Sequence, residues 1–197
     1  MASVDRTAYP RFKRSISERD LRQAYSPCVA EGEWARGLTD ADDHLLSLVV
    51  WLKCCQRLGY FPRLGEVPPQ IIGPVCDELG LHEDTHVAGV AERTTRHHKG
   101  LVRARLGLIG DQKQAREVSA EVIRAAAQVK DNPADLINVA LVELMRVGCE
   151  LLAFSTLDRR AGQIHPRVHL LACRGTGPRR SARRSWCRAG RGRGLRR

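Results

Sequence analysis

The sequence has 197 residues, of which 43% are hydrophobic and 28% charged, and its formal net charge at pH 7 is +11. These values exclude a fibrous chain and suit one packed domain with additional residues outside its core. The longest apolar run, residues 45–52, is shorter than the roughly 20 residues that cross a bilayer, so we expect no membrane contact. The first residues lack the apolar stretch of a signal peptide, which predicts a cytoplasmic protein.

Helix caps and helical apolar spacing recur from residue 15 to about residue 160, and no alternating strand pattern is present. We therefore predict an all-α, compact multi-helix domain over residues 1–170. The helix at 40–58 carries Leu45, Leu48, Val49 and Leu52 on one face and is predicted to be the central core helix. In chain order, the predicted helices are Ser17 to Ala24, Ser26 to Gly37, Asp40 to Leu58, Pro68 to near Gly80, one or two within 84–106, one capped by Asp111 with an apolar face of Ala115, Val118, Val122 and Ala126, one from Asp131 to Gly148, and one from Ser155.

The last 27 residues, 171–197, differ sharply from the rest of the chain. They hold 10 Arg, 5 Gly and no acidic residue, whereas residues 1–170 hold 23 Lys and Arg against all 22 acidic residues and are nearly neutral. A segment of this composition cannot bury enough apolar surface to fold, so we predict a disordered basic tail. Two origins remain open: an arm that binds phosphates without sequence preference, or an out-of-frame translation of GC-rich DNA.

The seven cysteines do not form a metal-binding or disulfide pattern. Their number is odd, Cys54 and Cys55 are adjacent, and no C-x-x-C spacing occurs. Free cysteine behaves as a small buried hydrophobic residue, so we interpret the cysteines as core thiols.

One short motif suggests a metalloenzyme. His82, Glu83 and His86 match H-E-x-x-H, which on a helix places two zinc-binding imidazoles one turn apart with the glutamate as base. Gly80 lies two residues before His82, however, so a helix has just ended where the first ligand would be needed. A zinc-dependent hydrolase using these three residues is kept as an alternative function.

The best candidate for phosphate contact is the segment 93–105, which holds five Lys and Arg, two His and no acid. On a helix, Arg96, Lys99 and Arg103 share one face and could follow a DNA backbone. A solvated charged face is the competing interpretation. The full set of predicted DNA-binding residues is Arg93, Arg96, His98, Lys99, Arg103 and Arg105, followed by Arg11, Lys13, Lys53 and Arg57, which rank lower because their surroundings are acidic or apolar.

Several ordered segments resemble the N-terminal domain of large replicative transposases of the Tn-three type, over about residues 9–168. Two aromatic segments carry much of this resemblance, Tyr9-Pro10-Arg11-Phe12 and the stretch LKCCQRLGYFP at 52–62. The others are Tyr25 with Pro27 and Glu31, Val67-Pro68, Arg93-Thr94 with Arg96 and His98, Leu106-Gly107, PADLIN at 133–138, Glu150-Leu151 and FSTLD at 154–158.

The resemblance implies a helical region that binds double-stranded DNA at transposon terminal inverted repeats, with intact transposase subunits as further partners. In the family, the chemistry belongs to a carboxylate triad in a separate RNase H-like domain. We therefore expect no catalytic residue, metal or cofactor here, and a nucleoid-associated protein when DNA is bound. The departure from the family near Leu170, and Leu152 in place of a usual proline, suggest a truncated or frameshifted product. A non-functional product of a decayed gene is the third hypothesis.

Two elements of the resemblance are predicted to be structural. Gly59 is a helix C-cap, and Tyr60 and Phe61 are expected to pack back on the core. Asn138, on an otherwise apolar helical face, is expected to be a buried hydrogen-bonding group rather than a base reader.

Overall fold

The computed structural model describes residues 3–82, 84–87 and 91–175, with only the backbone for 165–175. These residues form helices and no strand, which confirms the all-α prediction, and none of their helices is long and apolar enough to span a bilayer. Short 3-10 helices lie at Val4–Arg6 and Leu64–Glu66. The α-helices are α1 Glu18–Ala24, α2 Val29–Arg36, α3 Asp42–Leu58, α4 Pro69–Leu79, α5 Glu92–Leu106, α6 Gln112–Ala126, α7 Pro133–Val147 and α8 Phe154–Gly175.

Local caps start and end the helices where the sequence predicted them most clearly. The side chains of Ser17, Asp111 and Asn132 each accept a hydrogen bond from a backbone N–H in the first turn of α1, α6 and α7. Gly59 and Gly148 end α3 and α7 in the left-handed region, with φ of +74° and +76°. These boundaries depend on contacts within a few residues, which explains why the sequence revealed them.

The start of α2 differs from the prediction. The N-cap is Cys28 rather than Ser26, because the carboxylate of Glu31 accepts a hydrogen bond from the Cys28 N–H at 2.9 Å. Glu31 is held in that position by α3, as described below.

Two further predicted starts also shift. The Thr39 hydroxyl donates to the Ala35 carbonyl at 3.0 Å and so completes α2, and α3 begins only at Asp42. Ser155 lies inside α8, which begins at Phe154 and runs to Gly175. Residues 171–175, which we assigned to the tail, are therefore helical, and the remainder of the predicted tail lies outside the described residues.

Helix α3 is the centre of the N-terminal helix cluster, as predicted. Every residue from Leu45 to Cys55 is buried, so the helix is covered on all sides rather than along one stripe. Helices α2, α4 and α5 pack around it. The indole N–H of Trp51 donates to the Pro62 carbonyl at 3.2 Å, which draws the segment after α3 back onto the core.

The C-terminal cluster packs α6, α7 and α8 around Ile123, Leu136, Leu141 and Leu144. The buried strip of α6 is displaced from the predicted apolar face. Its centre consists of Ala115, Ser119 and Ile123, while Val118, Val122 and Ala126 are half-buried at its edge. Two of these three residues, Ala115 and Ser119, are small, and α6 packs against both α7 and α8.

Tyr9 joins the two clusters. Its ring stacks on Tyr60 at a centroid distance of 5.5 Å and meets the edge of Phe154 at 5.6 Å. Its hydroxyl donates to the Leu152 carbonyl at 3.2 Å. The N-terminal segment thus crosses the junction, and two segments that carry the resemblance, around Tyr9 and Tyr60, meet there.

Two hydrogen bonds complete the junction. The Leu151 N–H donates to the Gly59 carbonyl at 2.8 Å, which links the end of α3 to the segment before α8. The Ala8 N–H donates to the side-chain oxygen of Asn138 at 2.7 Å. Asn138 is therefore a hydrogen-bonding group, as predicted, but it is half-buried rather than buried.

The described cysteines agree with the core-thiol prediction except at Cys28, which is exposed. Cys54, Cys55, Cys76 and Cys149 are buried and free of disulfides. Burial raises the pKa of both Cys54 and Cys55 to about 12, so these thiols remain protonated at neutral pH.

Candidate nucleic-acid interface

His98, one of the predicted DNA contacts, occupies the buried face of α5. It is only 3% exposed, and its ring lies edge-on to His44 and Trp51 at centroid distances of 5.6 and 6.1 Å. Burial lowers the pKa of His98, with smaller contributions from His44 and His97, which favours the neutral imidazole. The sequence placed this residue among the predicted DNA contacts, whereas α5 turns its side chain toward α3.

Lys99 and Arg103 share a helical face, as predicted, but this face packs on aromatic rings. The Lys99 ammonium lies 5.5 Å from the ring centroids of both Trp51 and Phe61. The Arg103 guanidinium lies 5.0 Å from the Phe61 centroid and 2.7 Å from the Glu150 carboxylate. Burial lowers the pKa of Lys99. Both cations therefore already have partners within the fold.

The remaining cations of α5 are exposed. Arg93 makes no ion pair with any described residue. Arg96 pairs with Glu92 one turn away, at 2.6 Å. Arg105 lies 4.5 Å from the Trp34 ring centroid on α2, which orients its guanidinium at the end of α5. These three side chains therefore present their charges to solvent.

Lys53, which the sequence ranked among the lower phosphate candidates, lies in the interior. Its ammonium lies 3.2 Å from the Glu31 carboxylate, and the side chains of both residues are 10% exposed. Gln56 donates to the other carboxylate oxygen at 2.8 Å. Although burial opposes ionisation, these hydrogen bonds and the one from the Cys28 N–H lower the pKa of Glu31. The pair joins α2 to α3.

Three of the lower-ranked cations converge on one cleft. Arg11, Lys13 and Arg57 line a cavity of about 250 Å³ together with Asp20 of α1 and the largely buried Tyr25. Arg57 comes from the last turn of α3, whereas Arg11 and Lys13 follow the anchor at Tyr9. We name this cavity the basic cleft. A sequence pattern could not find it, because its cations come from distant segments.

A second cavity adjoins the basic cleft at Arg57. It has a volume of about 370 Å³ and is mainly apolar, with Pro10, Leu106 and Met145 among its lining residues. Arg57 lines both cavities. The second cavity thus extends from Arg57 to Leu106 at the end of α5.

The zinc motif does not have the helical geometry that its chemistry needs. His82 and His86 lie in the connection between α4 and α5, and Glu83 falls outside the described residues. The Nδ1 atom of His82 lies 3.3 Å from the Asp84 carboxylate. Among the side chains that the structure describes, no three His, Cys, Asp or Glu residues are grouped as a metal site.

Taken together, the two helical clusters and the basic cleft define an all-α domain with a cationic surface at its N-terminal half. Residues 1–164 match the family described as Domain of unknown function (DUF4158), and the chain belongs to this family. The match includes both clusters and nearly coincides with the range of the transposase resemblance. A comparison with curated proteins finds no match.

Proposed function

We propose that the chain is a non-catalytic DNA-binding module of the kind found at the N-terminus of Tn-three-type transposases. It binds the phosphate backbone of transposon terminal inverted repeats, with limited reading of bases. The basic cleft carries this proposal, since Arg11, Lys13 and Arg57 come from distant parts of the chain and meet at one surface. The exposed cations Arg93, Arg96 and Arg105 of α5 are further candidates for phosphate contact.

The existing ion pairs of these cations are exposed and can be exchanged for contacts with phosphate. Arg11 and Lys13 form ion pairs with Asp5 and Asp20, but all four side chains are at least 43% exposed. Ion pairs in water contribute only about 0–1 kcal/mol, so a phosphate can replace them at small cost. Arg57 is exposed, and among the described residues its charge acts on Asp20 without a close ion pair.

The test measures fluorescence anisotropy of labelled duplexes titrated with the full chain. One duplex carries the terminal inverted repeat of the encoding transposon, and the other is a scrambled duplex of the same composition. Titrations at two salt concentrations separate backbone from base contacts, because each phosphate contact contributes about 0.9 to the slope of log K against log salt. Preference for the repeat that persists at the higher salt supports the proposal.

Matched variants test whether DNA binds at the basic cleft and at the exposed cations of α5. We expect Arg57→Ala and Arg93→Ala to weaken binding and to reduce the salt slope by about one each. The control is Arg124→Ala, which removes an exposed cation from α6 in the other cluster. All variants keep residues 176–197, so the contribution of those arginines cancels. Equal binding by all variants, or no preference for the repeat, contradicts the proposal and favours a product that has lost its function.

A further inference from the structure

The basic cleft combines features of a site for a single phosphate group. Its cavity of about 250 Å³ is a concave pocket rather than a flat patch of charge. Three cations reach it from two sides, Arg57 from α3 and Arg11 and Lys13 from the N-terminal segment, and Tyr25 forms part of its wall. Guanidinium groups suit phosphate because their planar donors match its oxygen atoms.

Two carboxylates compete for these cations in the absence of a ligand. Asp20 lines the cleft and lies 2.9 Å from the Lys13 ammonium. Asp5, on the short helix before the N-terminal segment, pairs with the Arg11 guanidinium. Lys13 and Arg11 hydrogen-bond these carboxylates and lower the pKa of Asp20 and of Asp5, respectively, so both are ionised at neutral pH. Each carboxylate therefore resembles a phosphate oxygen in charge and in the donor it binds.

We infer that the basic cleft binds one phosphate group in place of these carboxylates. Arg57 makes the first contact, and Asp5 and Asp20 then release Arg11 and Lys13 to the phosphate. The inference rests on the proposed function for the source of the phosphate, which is a DNA backbone or a DNA end. The site itself is defined by the side chains of the cleft and can be tested without DNA.

The first experiment follows thermal unfolding of the full chain with increasing inorganic phosphate, while sodium chloride holds the ionic strength constant. A ligand that binds only the folded state raises the unfolding midpoint, and the rise yields a Kd. We expect Arg57→Ala to raise the Kd about tenfold, the effect of losing one charge-assisted hydrogen bond. Arg57→Lys keeps the charge and should recover part of this loss, whereas the control Arg124→Ala should have no effect.

Removal of the competing carboxylate should have the opposite effect on the Kd for phosphate. Asp20→Asn removes the competitor from Lys13 and should lower the Kd by about two- to fivefold. This factor corresponds to the free energy of an exposed ion pair. Glu117→Gln is the matched control, since it removes one exposed negative charge from α6. If Arg57→Ala and Arg124→Ala bind phosphate equally, or Asp20→Asn and Glu117→Gln do, the inference is wrong.

Titrations with DNA identify the source of the phosphate. The Arg57→Ala and Arg124→Ala variants are titrated with the same duplex bearing either 5′-hydroxyl or 5′-phosphate ends. A loss confined to the phosphorylated duplex places a DNA end in the cleft, and an equal loss on both places a backbone phosphate there. Inorganic phosphate binding that depends on Arg57, without binding of either duplex, supports the site and contradicts the proposed DNA function.

Discussion

The Lys53–Glu31 pair provides the sharpest test of how α2 is held on α3. Glu31 receives hydrogen bonds from Lys53 at 3.2 Å, Gln56 at 2.8 Å and the Cys28 N–H at 2.9 Å. Removing one charge of a buried pair costs about 3–5 kcal/mol, because the other charge stays buried without a partner. Both side chains are 10% exposed, so we take the lower end, about 3 kcal/mol, for Glu31→Gln.

The cost of Lys53→Met should be smaller, about 2 kcal/mol, since Glu31 keeps two of its three hydrogen bonds. In the double variant neither charge remains, so we expect a total loss of about 3 kcal/mol rather than the sum of the two single losses. Urea unfolding at pH 7 measures these differences as shifts of the midpoint at constant slope. Additive losses, or single losses below about 1 kcal/mol, would refute the buried-pair argument.

The remaining predictions concern a helix end and a buried histidine. Gly59→Ala should lower the free energy of unfolding by about 1–2 kcal/mol, because φ is +74° and the new Cβ would lie 3.0 Å from Leu151. The control Gly100→Ala, in open space within α5, should be neutral or stabilising by up to about 1 kcal/mol in the same urea assay. The lowered pKa of His98 predicts that stability decreases as pH falls below the ordinary value of 6.5, since the unfolded chain binds the proton more readily. Urea midpoints at pH 7.5 and 5.5 should therefore differ less in His98→Gln than in the wild type or the exposed control His86→Gln, and an unchanged difference would contradict the assigned burial effect.

Much of the helical architecture could be predicted from the sequence, because helix ends depend on neighbouring residues. Ser17, Asp111 and Asn132 bond to N–H groups two or three residues away, and Gly59 and Gly148 adopt a backbone conformation that suits glycine. The start of α2 could not be predicted in this way. Glu31 is held by Lys53 and Gln56 of α3, so a distant helix determines which residue caps α2.

The candidate site depended far more on tertiary contacts. The sequence correctly placed Lys99 and Arg103 on one face of α5, but a helical pattern does not specify what that face packs against. The Phe61 ring lies against both cations, and Glu150 pairs with Arg103. The same limit applies to His98, which belongs to a basic segment and yet is buried.

The sequence by itself determined the helices, the central place of α3 and the supply of cations. Only the tertiary structure decided which cations are exposed to solvent and which lie close to one another. Arg11 and Arg57 line one cleft because Tyr9 fixes the N-terminal segment on Tyr60, close to the end of α3. Helix formation follows from short-range backbone hydrogen bonds, whereas the position of a charge relative to other charges follows from the packing of distant segments.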